Sequence, residues 1–380
     1  MLLWGLGSYT ALSTSMIGKA FSYEQSHLQW QDDQRRNFVV SGNSSLDKRA
    51  ATKGLIYGSA VRQSALSSNR DFAEVVTREC AMLVPEWELK WNFLRPTQST
   101  FNFAPADWLA NFAKTHSMLI RGHTLVWHES TALPPWFSKS INSQNALSIL
   151  KKHIETVVKH YAGKIHSWDV VNEAIKVSDG RSDGLRYTPW LQFLGKDYIE
   201  IAFREAALAD PKALLVYNDY GLDYDTWEDE AKRTAVLKLL ELLKSKGVPI
   251  HALGIQAHLS GSKSRFNPEK LKNFLSEVAN LNLKILITEM DVTDKKLPLD
   301  LNYRDHIVAG VYEDYLSVVL DERAVIAVLT WGLSDRYTWL SEFQPRQDGA
   351  AVRPLPLDVN LKRKYAWNAI ARAFDKAPRR

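Results

Sequence analysis

Eight short, nearly unbroken apolar runs punctuate the chain: LIYGSAV (55–61), AMLVPE (81–86), LIRGHTLVW (119–127), IHSWDVVNE (165–173), ALLVYNDY (213–220), ALGIQAHL (252–259), KILITEMDV (284–292) and VIAVLTWGL (325–333). They lack the polar alternation of half-exposed strands and fit parallel strands covered on both faces. Between them stand stretches of helical period, such as NALSILKKHIETVVKHYAG, DEAKRTAVLKLLELLKSKG and PEKLKNFLSEVANLN, several closed by Gly or Asn. LKRKYAWNAIARAFDKA supplies a closing helix, and LDKRAATKG, with Ser45 as N-cap and Gly54 as stop, an opening one. Eight strands alternating with helices predict an α/β architecture: a (β/α)8 TIM barrel forming a single domain.

A chain of 380 residues, 45% apolar and 24% charged, can bury the core that such a barrel needs. The net charge of +5 is scattered over the expected helices instead of forming one stripe, which argues against nucleic acid as a partner. The lone Cys80 rules out an intrachain disulfide and a cysteine-rich metal site. No Gly-rich dinucleotide or phosphate loop follows any strand. The first 18 residues carry no charge, so residues 1–22 are expected to be a signal-like segment and the protein to be secreted or periplasmic, although the usual basic start is lacking. Residues 23–44 form an N-terminal extension, and 45–380 the barrel. No other segment is apolar enough to span a membrane. The mature protein is expected to be a monomer off the membrane.

In such barrels the chemistry collects at the C-terminal ends of the strands. Those ends hold Glu86 and Lys90; His123, Trp127 and His128; Asn172 and Glu173; the NDY segment ending at Tyr220; Gln256 and His258; Glu289 and Asp291; and Trp331, with Trp339 just beyond. Glu173 and Glu289 each close a long apolar run, on strands three apart around the ring. Two carboxylates converging across a barrel mouth suit glycoside hydrolysis, in which one protonates the leaving oxygen while the other attacks carbon or activates water. Taken singly, either is equally well read as a buried Glu paired with Lys or Arg. Of the thirteen Trp, Trp127, Trp331 and Trp339 are placed to stack on sugars, whereas Trp91, Trp168 and Trp367 are expected in the core. His123 and His128 lie five apart on an extended segment and point to opposite faces, which disfavours a metal site.

Together WDVVNEA, ILITEMD, GHTLVWH, YNDY, GIQAH and TWGLSDRYTW resemble glycoside hydrolase family 10, the endo-1,4-β-xylanases, across about residues 45–375. The resemblance implies a (β/α)8 barrel, retaining double displacement, xylan as polysaccharide substrate and no cofactor. By position, Glu173 would be the acid/base and Glu289 the nucleophile, and Asn172 would bind the sugar 2-hydroxyl. His258 would hydrogen-bond the nucleophile and be oriented by Asp291, with Tyr220 and Gln256 lining the same pocket. Glu86, Lys90, His123 and Trp127 would form glycone subsites, walled by Trp331 and Trp339. One departure is Trp87, where the family carries Asn. The segment HESTALPPWF also extends the loop after the third strand. The same machinery on cellulose or a mixed glucan, a non-catalytic carbohydrate-binding barrel, and a metal-dependent hydrolase are the alternatives.

Overall fold

The structure, a computed structural model, describes residues 36–262 and 266–380. The expected signal-like segment 1–22 lies outside the described residues, as does most of the extension over 23–44. Nine strands follow in chain order: β1 (Ile56–Val61), β2 (Met82–Pro85), β3 (Leu119–Val126), β4 (Ser167–Asn172), β5 (Leu214–Asp219), β6 (Ala252–Ile255), β7 (His258–Ser260), β8 (Lys284–Thr293) and β9 (Val325–Thr330). All pair in parallel. β1 pairs with β9 and β6 with β8, so eight strands close a ring, while β7 pairs with the far half of β8. The expected (β/α)8 barrel is the observed fold.

Helices such as Ala104–Thr115, Ala146–His160, Tyr198–Ala209 and Trp227–Ser245 connect successive strands and cover the outer face. This is why the strands read as continuous apolar runs: β4, SWDVVN, is buried at every position. Ala60, Met82, Val84, Val216, Ala252, Leu286, Ala327 and Leu329, drawn from six strands, make a separate cluster that fills the ring. The other inward positions are polar where they approach the mouth, and there the site is built.

The barrel's two chain ends are tied at one buried carboxylate. The opening helix, Leu46–Ala51, starts where the Ser45 side chain accepts the Lys48 N–H, and Gly54 follows it at φ +73°. Glu79 accepts the Leu46 N–H at 3.1 Å and the Trp367 indole at 3.0 Å, and Arg363 pairs with it at 2.8 Å. Trp367 lies in the closing helix, Tyr365–Lys376, which buries Trp367, Ile370 and Phe374 on one face. Phe374 meets the Tyr57 ring of β1 edge-on at 5.8 Å. Each such side chain contributes about 1.5–3 kcal/mol through burial.

One expected strand is two. The run ALGIQAHL breaks after Ile255, Ala257 takes φ +58°, and the chain resumes as β7. Ile255 faces Ile287 in register, whereas His258 faces Asp291. Four residues of β8 are thus matched by three on the broken strand. An apolar run carries no mark of such a shift, because its residues are buried on both sides of the break. No helix among the described residues is long and apolar enough to cross a membrane.

Candidate active site

Each strand end delivers its residues to one cleft. The turn after β2 brings Glu86 and Lys90; β3 brings His123 and, just past its end, Trp127; β4 ends in Asn172, with Glu173 next. Tyr220 follows β5, Gln256 lies in the break after β6 and His258 opens β7, Glu289 stands within β8, Trp331 follows β9, and Trp339 lies in the loop beyond. All twelve line the cleft. Asp291 stands behind it, in contact with His258 and Trp339. His128 lines a separate pocket with Leu133, Pro134 and Phe193, apart from the cleft that holds His123. Trp91, Trp168 and Trp367 are buried in the core.

Glu173 leaves β4 with φ +57°, a left-handed conformation that costs a non-glycine residue about 1–3 kcal/mol. Its N–H donates to the Asn218 carbonyl at 2.9 Å, and its own carbonyl accepts from Arg186 Nε at 2.8 Å, which together hold the turn. The turn sends the carboxyl into the cleft, where Gln256 Nε2 and Asn172 Nδ2 donate to Oε1 at 3.1 and 3.2 Å. Burial, and then the charge of Asp219, push the Glu173 carboxyl above the ordinary range, against the Gln256 hydrogen bond.

Glu289 has the opposite balance. Burial alone would raise it, but the His258 hydrogen bond, the nearby His123 and His258 rings and the Asn218 amide outweigh that and hold it at about 2. His258 Nε2 lies 3.3 Å from Oε2, Asn218 Nδ2 lies 2.7 Å from Oε1, and His123 Nδ1 lies 4.0 Å from Oε1. Burial would lower His258, yet Asp291 at 3.0 Å and Glu289 raise it well above the ordinary imidazole value. Trp339 Nε1 donates to the other Asp291 oxygen at 2.7 Å, which fixes the carboxylate behind the imidazole. The two glutamates are therefore pushed apart, Glu173 above and Glu289 below the ordinary carboxyl range. Such a pair can transfer a proton and a nucleophile within one site.

Aromatic side chains wall this chemistry. Trp331 meets His123 edge-on at 5.2 Å, and the Trp339 ring lies 5.2 Å from His258. Lys90 is buried, and its ammonium lies 4.1, 5.2 and 5.9 Å from the Trp87, Trp127 and Trp331 ring centres. Burial lowers it, with Glu86, Glu289 and Glu173 acting against that. Such a lining offers flat apolar faces and directed donors, the two things a sugar ring presents in complement. Among the described residues no group of three or more His, Cys, Asp or Glu is arranged to hold a metal ion.

The family model for glycosyl hydrolase family 10 matches residues 45–373. The chain belongs to that family. An endo-1,4-beta-xylanase B of Thermotoga neapolitana is 38% identical over 315 residues, spanning 82% of this chain and 86% of the relative. A beta-1,4-xylanase of Dictyoglomus thermophilum is 36% identical over 293 residues, 75% of this chain and 79% of its own. Among solved structures, xylanase 10B from Thermotoga petrophila RKU-1 in complex with xylobiose superposes with a TM-score of 0.80 at 34% identity, covering 89% of this chain and 99% of that one.

Several residues of this family 10 cleft carried no separate signal in the sequence. Asn218 sits in the noted NDY segment, but its bonds to Glu289 and Asn172 depend on strands far apart in the chain. Arg186, from the loop after β4, holds the Glu173 backbone and donates to the Tyr220 hydroxyl at 2.9 Å. Arg121 and Asp169 form a buried pair beneath the cleft, and Asp169 also holds His123 Nδ1 at 2.9 Å. Lys232 reaches back from a helix to Asp219 at 2.6 Å.

Proposed function

We propose that this family 10 enzyme is a retaining endo-1,4-β-xylanase. The observation that carries the reading is the opposed electrostatics of Glu173 and Glu289 in one aromatic-walled cleft. The names of its relatives supply the substrate: xylanases at 36–38% identity and a neighbouring structure bound to xylobiose.

In the proposed first step the Glu289 carboxylate attacks the anomeric carbon while Glu173 gives its proton to the departing glycosidic oxygen. The C–O bond to the leaving chain breaks as the bond to Glu289 forms. Glu173, now an anion, then takes a proton from water, whose oxygen attacks the same carbon from the vacated face and releases Glu289. Two inversions give net retention. Asn172 is assigned to the 2-hydroxyl, where a hydrogen bond gains strength as charge develops. Glu86, Lys90, His123 and Trp127 are assigned to the sugars on the non-reducing side of the cut. Residues 45–380 are proposed as the catalytic unit, and secretion rests on the apolar character of residues 1–22 alone.

The test is product release from xylan and from cellulose side by side, with the newly formed anomer followed by proton NMR. β-configured xylo-oligosaccharides that disappear in Glu289→Ala support the reading. Cleavage of glucan alone would sink the substrate assignment, and full activity in Glu289→Ala would remove Glu289 from the chemistry.

A further inference from the structure

The cleft is bounded on one side by three neighbouring strand ends, β9, β1 and β2, and their side chains are joined into one course. Arg62 directly follows β1. Its guanidinium donates to Glu86, after β2, at 2.8 Å and lies 3.7 Å from Glu342 in the short helix Leu340–Phe343 after β9. The same guanidinium lies over the Trp87 ring at 5.5 Å, and the Lys90 ammonium lies over that ring at 4.1 Å. Phe93 meets Trp87 at 5.8 Å and Phe343, next to Glu342, meets Trp339 at 5.5 Å. Both phenylalanines are about half exposed, at 48% and 54%.

An indole in the cleft either offers a face for a sugar to stack on or stands as a barrier. The Trp87 ring already carries two cations and an aromatic neighbour, contacts that draw on its π-faces. Arg62, Lys90 and Phe93 thus compete with a sugar for the ring and restrain its position. We propose that Trp87, held by Arg62 and Glu342, closes this end of the cleft and limits how many sugars bind on the non-reducing side of the cut. The inference rests on the reading of the cleft as a xylan-binding site with that side at Glu86 and Lys90. Its consequence is a preference for linkages near the non-reducing end of a chain and release of short products from there.

The experiment is cleavage of xylohexaose carrying an isotopic label at its reducing end, with the cut linkage identified by mass spectrometry, for wild type and Trp87→Ala. Wild type is expected to favour linkages near the non-reducing end. Trp87→Ala should shift the preferred cut toward the reducing end by at least one linkage, changing the product ratio about ten-fold, the scale on which one pocket contact discriminates. Trp87→Leu, which retains an apolar contact for the Lys90 methylenes, carries the same test should the alanine variant fail to fold. An unchanged cut pattern, or a shift toward the non-reducing end as loss of a stacking platform would give, overturns the barrier. A wild type that cuts neither xylohexaose nor xylan overturns the xylanase reading itself.

Discussion

The Asn218 amide nitrogen donates to Glu289 Oε1 at 2.7 Å and, from the same nitrogen, to Asn172 Oδ1 at 2.9 Å. Thr288 Oγ1 donates to Asn218 Oδ1 at 2.7 Å, and because an ionised Glu289 can only accept, the amide nitrogen is the end that faces it. Gln256 Nε2 continues the chain, donating to Asn172 Oδ1 at 3.3 Å and to Glu173 Oε1 at 3.1 Å. The two glutamates are thus linked through three buried amides, and a shift in one is felt at the other.

Asn218→Ala removes a donor from a buried anion. A hydrogen bond to a charged group contributes about 1.5–3 kcal/mol, so kcat/KM on xylo-oligosaccharides should fall about ten- to hundred-fold. Glu289 should also lose part of what holds it at about 2, moving the acid limb of the pH profile upward. An acid limb that stays in place would show that Asn218 does not stabilise the ionised form.

Glu173 should set the alkaline limb. Its carboxyl is raised, so the acid form persists above the ordinary carboxyl range and is lost as pH rises through the raised value. Glu289 loses its charge only as pH falls toward about 2, so the profile should be broad on its acid side. Glu173→Gln should abolish the alkaline limb. The same variant should slow xylan hydrolysis by about 10²–10⁴ but spare the first step on dinitrophenyl xylobioside, whose leaving group needs no proton. Equal losses on both substrates would show that Glu173 is not the proton donor.

Much of this arrangement was legible in the sequence because a barrel translates strand order into spatial order. Glu173 and Glu289 each end an apolar run, and the closed ring carries both to the same mouth. The break between Ile255 and His258 was not legible, since a register shift leaves no mark in residues buried on either side. Asn218, Arg186 and Arg62 were missed for a related reason. Their roles come from side chains meeting across strands or from irregular loops, where neither period nor cap announces a partner.

Asp291→Asn tests how Glu289 is kept ionised. Asp291 raises His258, and the His258 hydrogen bond lowers Glu289. With a neutral amide in place of Asp291, His258 should lose its proton at lower pH, so the part of kcat/KM that depends on its positive charge should disappear at lower pH than in wild type. The stability effect has a definite sign as well. A raised imidazole stabilises the fold fully below its ordinary value and loses that contribution as pH rises through the raised one. The gap in melting temperature between wild type and Asp291→Asn should therefore narrow at alkaline pH, and a constant gap across pH would argue that His258 is not the group affected.

Gly122 couples fold to site. It lies in β3 beside His123, and a methyl group there would fall 2.1 Å from Cε3 of the fully buried Trp168. No side-chain rotation relieves such an overlap, so either the indole leaves its slot or β3 moves outward. Overpacking of this kind costs about 1–3 kcal/mol, and movement of β3 would draw His123 from Asp169 and Glu289. Gly122→Ala should lower both the unfolding midpoint and kcat/KM. In a Trp168→Leu background, where the clash is gone, the same substitution should cost markedly less than in wild type. Additive losses across the four proteins would show that the glycine is required by the strand backbone and not by the tryptophan.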